Sequence, residues 1–185
     1  MALIDYDPPQ RFVAGTVGPP GQRQFFLQAS GGGRLTSVSL EKAQVSVLAD
    51  RVNDLLDDYA GGEATEQAAA AHADLAPLET PIEEDFRVGT MGLSWDPNRQ
   101  LVIIECHAAG DAFDDPEELA ESAERDPADD PTQLVLRISL SPAAARAFAR
   151  RSAKVVRAGR PPCPFCAGPL DPTGHICPRA NGYRR

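Results

Sequence analysis

No apolar run in this chain approaches eighteen residues, so no segment of it is expected to span a bilayer as a helix. The chain does not open with a charged, apolar and small-residue leader, which argues against export through a cleaved signal. Aromatic residues are few, at 6% of 185, and offer little for stacking bases. Cysteine is scarcer still, with four residues, three of them in the C-terminal tail. Without a secretory context, these read as metal or redox chemistry rather than a disulfide framework. The glycine turns contain neither G-x-x-x-x-G-K-S/T nor, after a strand, G-x-G-x-x-G, so both common phosphate-loop signatures are missing. These absences predict a soluble cytoplasmic protein without a membrane partner. Its length predicts one domain with a real hydrophobic core and a small appendage.

Charge is present but unevenly spread. The formal net charge is −9. The stretch from Asp111 to Asp130 holds ten acidic residues and one basic residue, Arg125, which accounts for the whole of it. The remainder is close to neutral, and from Arg146 to Arg185 it is strongly basic, with Asp171 the only acid. The molecule is therefore expected to be polarised, with an acidic connector and a basic C-terminal end.

Residues 1–10 read as a polar, proline-bearing lead-in. Two alternating stretches follow, Phe12 to Val17 and Gln24 to Gln28, broken by Gly18-Pro19-Pro20-Gly21, the composition of a hairpin turn. Past the Gly31-Gly32-Gly33 turn, Leu35 to Leu40 is a third strand rich in β-branched and hydroxyl side chains. The period then changes. Val45, Leu48, Val52, Leu55 and Leu56 recur at three- and four-residue steps, predicting an amphipathic helix from Glu41 to about Tyr59 that Gly61-Gly62 stops. The Ala-, Glu- and Pro-rich residues 61–84 read as a linker, with a helical turn conceivable at Ala68 to Ala71. His72, lying there, reads as an ordinary exposed histidine.

The pattern then restarts. Phe86 to Leu93 and Leu101 to His107 alternate around Asp96-Pro97-Asn98-Arg99 as a second hairpin. Residues 110–131 form the acidic connector, whose low hydrophobicity and like charges predict mobility. Leu134 to Leu140 is another third strand, and Ser141-Pro142 opens a helix running to about Ala158. Phe12, Ala14, Gly15 and Thr16 recur in order as Phe86, Val88, Gly89 and Thr90. Leu40, Ala43, Leu48, Ala49 and Arg51 recur as Leu140, Ala143, Phe148, Ala149 and Arg151. The reading is an α+β fold built from two β-β-β-α pseudo-repeats, residues 11–60 and 85–158. Neither can bury its sheet face alone. Together they are expected to form a largely antiparallel sheet with the helices on one face, in a body spanning residues 1–160, followed by a zinc-binding tail at 161–185.

That tail supplies four ligands, Cys163, Cys166, His175 and Cys177. A C-x2-C turn can bring both thiolates onto one ion, and residues two apart in an extended segment face the same side. Gly168, Pro172 and Gly174 permit the reversal between the pairs. Zinc accepts Cys3His in tetrahedral geometry. A second C-x2-C would need cysteine at position 180, where Ala180 stands, so His175 is the natural fourth ligand. Four protein ligands leave no position for water, which makes the role structural rather than catalytic. A free redox pair, or the remains of a lost site, is the alternative.

Arg146, Arg150, Lys154 and Arg157 share one face of the final helix, and Arg179, Arg184 and Arg185 extend a basic surface to the end of the sequence. Guanidiniums arrayed this way suit phosphate or carboxylate groups. A solvated helix face, or an internal clasp on the acidic connector, is the alternative, and the acidic counter-charge in the same chain favours it. Cys106 and His107 are adjacent, so in a strand they point to opposite faces and make a poor catalytic pair. Ten of the 27 carboxylates sit in the connector, where acid–base placement would be imprecise. Trp95, beside the Asp96-Pro97 turn, reads as packing. No catalytic motif emerges, and the reading leans away from an enzyme.

Three stretches carry a family resemblance: DPPQRFVAGTVGPPGQRQFFLQA near the start, FRVGTMGLSWDP in the middle and CPFCAGPLDPTGHICPRANGYRR at the end. On these the chain resembles an actinobacterial family known only as a domain of unknown function. The resemblance implies gene neighbours encoding a lipid-kinase-like and a phosphoglycerate-mutase-like protein, hence a phosphate-linked pathway, but no activity and no catalytic residues. It also implies that glycine commonly follows the second cysteine, where Ala167 stands here. The expectation is a zinc-stabilised binding or adaptor module whose basic end contacts a phosphorylated or acidic protein partner, those neighbours among the candidates. Two alternatives stand beside it. One is an enzyme or small-molecule binder with a pocket between the units. The other is single-stranded nucleic-acid binding, which net acidity and few aromatics oppose.

Overall fold

A computed structural model describes residues 2–110, 134–159, 163–166, 170 and 177–179. The elements run β1 (Ala2–Tyr6), β2 (Arg11–Val17), β3 (Gln24–Gly31), β4 (Arg34–Leu40), α1 (Lys42–Tyr59), a 3-10 turn (Gly61–Ala64), α2 (Glu66–Ala71), β5 (Phe86–Asp96), β6 (Leu101–Ala108), β7 (Leu134–Leu140) and α3 (Pro142–Arg157). The fold is α+β, with both β-β-β-α units in the expected order. Apart from Gly110, the acidic connector lies outside the described residues.

The strands form one seven-stranded sheet in the order β1-β7-β6-β5-β4-β3-β2. Within each unit the pairing is antiparallel, as short turns require. The units meet through a short parallel contact, Val38 opposite Phe86 and Ser39 opposite Arg87. The lead-in expected at residues 1–10 is in part a strand. β1 pairs in parallel with β7, from Ala2 opposite Leu134 to Tyr6 opposite Ile138. Ile4 and Tyr6 are the two side chains of β1 that are buried. Two alternate apolar residues are too few to mark a strand locally; the pairing that makes it one comes from the far end of the chain.

The sheet must curl. Six spacings of about 4.8 Å would put β1 and β2 roughly 29 Å apart in a flat sheet. Residues 7–10, which join them, reach only about 17 Å from Tyr6 to Arg11. The Gln10 amide accordingly donates to the Ser30 carbonyl at 2.9 Å, and the Tyr6 hydroxyl meets Thr36 Oγ1, on β4, at 2.9 Å. Tyr6 and Thr36 lie on the core side, so that side is the concave one.

α1 and α3 pack together on the concave face. Val45, Leu48, Val52 and Leu56 of α1 are buried with Phe148 and Ala149 of α3, over Ala14, Leu27, Val38, Ile104 and Ile138. Phe148 stacks on Phe12, ring centroids 4.5 Å apart. Ser141 caps α3 by accepting from the Ala144 amide at 3.3 Å, with Pro142 in the first turn.

The segment 61–84 is more than a spacer. Thr65 caps α2, and the chain then wraps the β2 edge onto the convex face. There Leu78 packs with Val13 and Phe26. It fills the space over Gly15, where a Cβ would lie 2.5 Å from the Leu78 Cγ. The Gln28 side chain, buried in β3, accepts from the Glu79 amide at 2.7 Å and donates to the Glu79 carbonyl at 3.0 Å. Leu78 and Glu79 thus pin this strap across β2 and β3.

Candidate metal centre and basic face

The Cys163–Cys166 turn follows α3 directly. The Sγ atoms of Cys163, Cys166 and Cys177 lie within 4.8 Å of one another, and Cys163 and Cys177 are buried at 3% and 0% exposure. The Cys163–Cys177 Sγ separation is 3.8 Å. A disulfide would require about 2.05 Å. Two thiolates bound at about 2.3 Å to a tetrahedral ion would lie about 3.8 Å apart. The donor set and its spacing therefore fit a metal ion. Burial pushes the Cys163 thiol up, but the amides of Cys166 and Phe165 and the neighbouring thiols outweigh it and hold Cys163 below the ordinary range. Arg179 Nη1 donates to the Phe165 carbonyl at 3.1 Å, tying the segment after Cys177 to the first turn. His175, the expected fourth ligand, lies outside the described residues, as do Arg184 and Arg185.

The remaining cysteine has a different character. Cys106 is fully buried on the core face of β6, and burial pushes its thiol up to about 12. His107 points to the other face, its Nε2 4.0 Å from Glu105. Cys106 behaves as a small apolar residue. Trp95 stacks on Tyr59 at 6.4 Å, in keeping with a packing role.

The arginines of α3 separate into two groups. Arg146 turns toward α1, donating to Asn53 Oδ1 at 2.9 Å and the Ala64 carbonyl at 3.1 Å while pairing with Asp57. Arg150 stays exposed, 2.9 Å from an exposed Glu66. Lys154 and Arg157 are exposed, with no carboxylate partner among the described residues. Arg157 Nε donates to its own helix at the Ala153 carbonyl. Arg150, Lys154 and Arg157 line a groove between α2 and α3.

The composition did not single out Arg11, Asp74 and Arg151, which meet where β2, the strap and α3 converge. Arg11 Nε donates to Asp74 Oδ2 at 2.6 Å. Arg151 reaches the Asp74 Oδ1 at 3.1 Å and the carbonyls of Ala14, Asp74 and Ala76 at 2.8, 2.6 and 2.7 Å. The Arg11 guanidinium holds the Asp74 carboxyl below the usual range, against its burial. Burial lowers Arg151, with Arg11 adding repulsion. The contacts span 63 and 77 residues, and nothing local marks them. At the other end of α3, Arg23 donates to the Val155 carbonyl at 3.4 Å and lies over the Phe25 ring. It adds a cation from the first unit where the tail begins.

A cavity of about 650 Å3 opens where residues 7–10 cross the seam of the curled sheet, lined by Phe12, Phe148, Leu140, Arg11, Arg99 and Arg151 among others. Arg99 at its rim is held by Asp7 through two bonds of 2.6 and 2.7 Å. No described helix is long and apolar enough to cross a membrane.

No curated protein and no solved structure matches the chain. A family does, over residues 4–177, from β1 to the last cysteine of the cluster. The curled sheet, the strap and the cysteine cluster thus lie in one matched unit, and the chain belongs to the family described as protein of unknown function, DUF3090.

Proposed function

We propose that this chain is a cytoplasmic binding or adaptor module, in which a structural zinc ion fixes a basic C-terminal surface that contacts a phosphorylated or acidic protein partner. The observation that carries the reading is the sequence of exposed cations Arg150, Lys154 and Arg157 leading into the cysteine cluster, with Arg179 bonded across it. Cys163, Cys166 and Cys177 would hold the ion, with His175 completing a closed set. The ion would supply rigidity rather than a Lewis-acid site, keeping Arg179, and with it Arg184 and Arg185, where a partner can meet them.

The kinase-like and phosphoglycerate-mutase-like neighbours implied by the family resemblance are the first candidates for that partner. Co-purification of the tagged full chain with each tests the reading. Arg150→Ala combined with Arg179→Ala should lower recovery severalfold; unchanged recovery would mean that the basic end is not the contact.

A second reading rests on the seam cavity, which lies between the two β-β-β-α units and is of a size that holds small molecules. It would make the chain a binder, or an enzyme, of a phosphorylated metabolite. A thermal-shift screen of such compounds tests it: a stabilising hit that Arg99→Ala abolishes supports this reading, and a screen without hits removes it.

A further inference from the structure

The groove between α2 and α3 has two unlike walls. Arg150, Lys154 and Arg157 stand along α3, while Ala69, Ala73 and Leu75 form the other side, in a volume of about 470 Å3. Leu75 is 77% exposed, the most exposed of the large apolar side chains among the described residues. We propose that this groove docks an extended peptide segment of a protein partner in which acidic and apolar residues alternate. The proposal rests on the binding-module reading and gives its partner a chemistry.

The spacing supports an extended occupant. Arg150 and Lys154 are four residues apart, about 6 Å along the helix, and Arg157 adds about 4.5 Å. In an extended peptide, side chains on one face repeat about every 6.7 Å. Carboxylates on that face would meet Arg150 and Lys154 nearly in register, with the long Arg157 side chain spanning the remaining difference of about 2 Å, while the alternate side chains would face Ala69, Ala73 and Leu75. Among the described residues the cations are open to such a partner. Lys154 and Arg157 have no carboxylate partner among the described residues, and Arg150 has only the exposed Glu66. An exposed pair of that kind contributes little and is readily exchanged.

Other anions fit less well. A single phosphate wants donors converging on one point, and these cations are strung along a line. Single-stranded nucleic acid wants aromatic platforms, and the groove lining holds none; its one carboxylate, Asp74, is already paired with Arg11 and Arg151.

The test uses the full chain and two fluorescein-labelled peptides, one alternating Glu and Leu and one alternating Glu and Ser, with a labelled oligothymidylate as control. Fluorescence anisotropy should show the Glu/Leu peptide binding more tightly than the Glu/Ser one. Lys154→Glu with Arg157→Glu should weaken the Glu/Leu peptide about tenfold or more. Leu75→Ser should weaken that peptide about threefold to tenfold and leave the Glu/Ser peptide unchanged. All three positions are exposed, so matched thermal unfolding curves would show that the variants remain folded. Equal binding of both peptides, or of the oligothymidylate, overturns the proposal. If peptide binding survives these substitutions but falls with Arg184→Ala and Arg185→Ala, the groove is wrong and the basic-end reading stands. If no peptide binds while partner recovery still depends on Arg150 and Arg179, the groove is again wrong. If neither holds, both readings fall.

Discussion

The two flanks of α3 carry the same kind of side chain to opposite ends. Toward the body, Arg146 and Arg151 keep 13% and 12% of their side-chain surface and are held by carboxylates and carbonyls from α1, β2 and the strap. Toward the α2 groove, Arg150 keeps 53%, and Lys154 and Arg157 are exposed. Arg146 sits four residues before Arg150 on the same helical stripe, yet it works as a fastener. The period of a helix places side chains on one face. What that face meets depends on segments far away in sequence, here Asp57 and Asp74. Buried guanidiniums with carbonyl and carboxylate acceptors hold elements together, whereas exposed ones remain available.

The contrast can be broken most directly at Arg151. Arg151→Ala takes the side-chain donor from the Ala14 and Asp74 carbonyls, leaves Arg11 alone on the Ala76 carbonyl and the Asp74 carboxylate, and should cost about 3 kcal/mol in urea unfolding. A loss no larger than that of Lys154→Ala would dissolve the distinction between the flanks. The next effect is at the strap. Gly15→Ala forces a methyl into Leu78 and should cost about 2 kcal/mol by overpacking. Adding Leu78→Ala should recover part of that loss, since each change makes room for the other. Two simply additive losses would show that Leu78 does not sit over Gly15.

Asp74 sharpens the comparison through pH. Arg11 holds its carboxyl below the ordinary range in the folded chain. Its stabilisation is therefore complete above the unfolded value of about 3.9, and fades as pH falls through the folded one. Asp74→Asn should flatten the loss of stability between about pH 5 and pH 2 relative to the parent chain. Urea midpoints measured across that range check it, and parallel curves would deny Asp74 the role. The smallest effect belongs to the open flank. Lys154→Ala with Arg157→Ala should change stability by less than about 0.5 kcal/mol.

Much of this architecture is legible in the sequence because it is local. Alternation marks β2, β3 and β6, the three- and four-residue steps of Val45, Leu48 and Val52 mark α1, and Ser141-Pro142 marks the start of α3. The cysteine cluster is legible for the same reason, since C-x2-C carries its geometry within one turn. What escapes is non-local. β1 is a strand only because β7 lies beside it. The residues 61–84 have the composition of a linker, and their hold on the body comes from Arg11, Gln28 and Arg151. Arg146 reads as one more cation of the stripe because Asp57, its partner, lies a whole unit away.

The open flank of α3 leads into the cysteine cluster, and the proposed function needs that cluster to be a metal site. The direct measurement is zinc per chain, in protein purified under reducing conditions without added metal. About one equivalent is predicted, falling well below that in Cys177→Ser. Less than about half an equivalent in the parent chain would contradict the account.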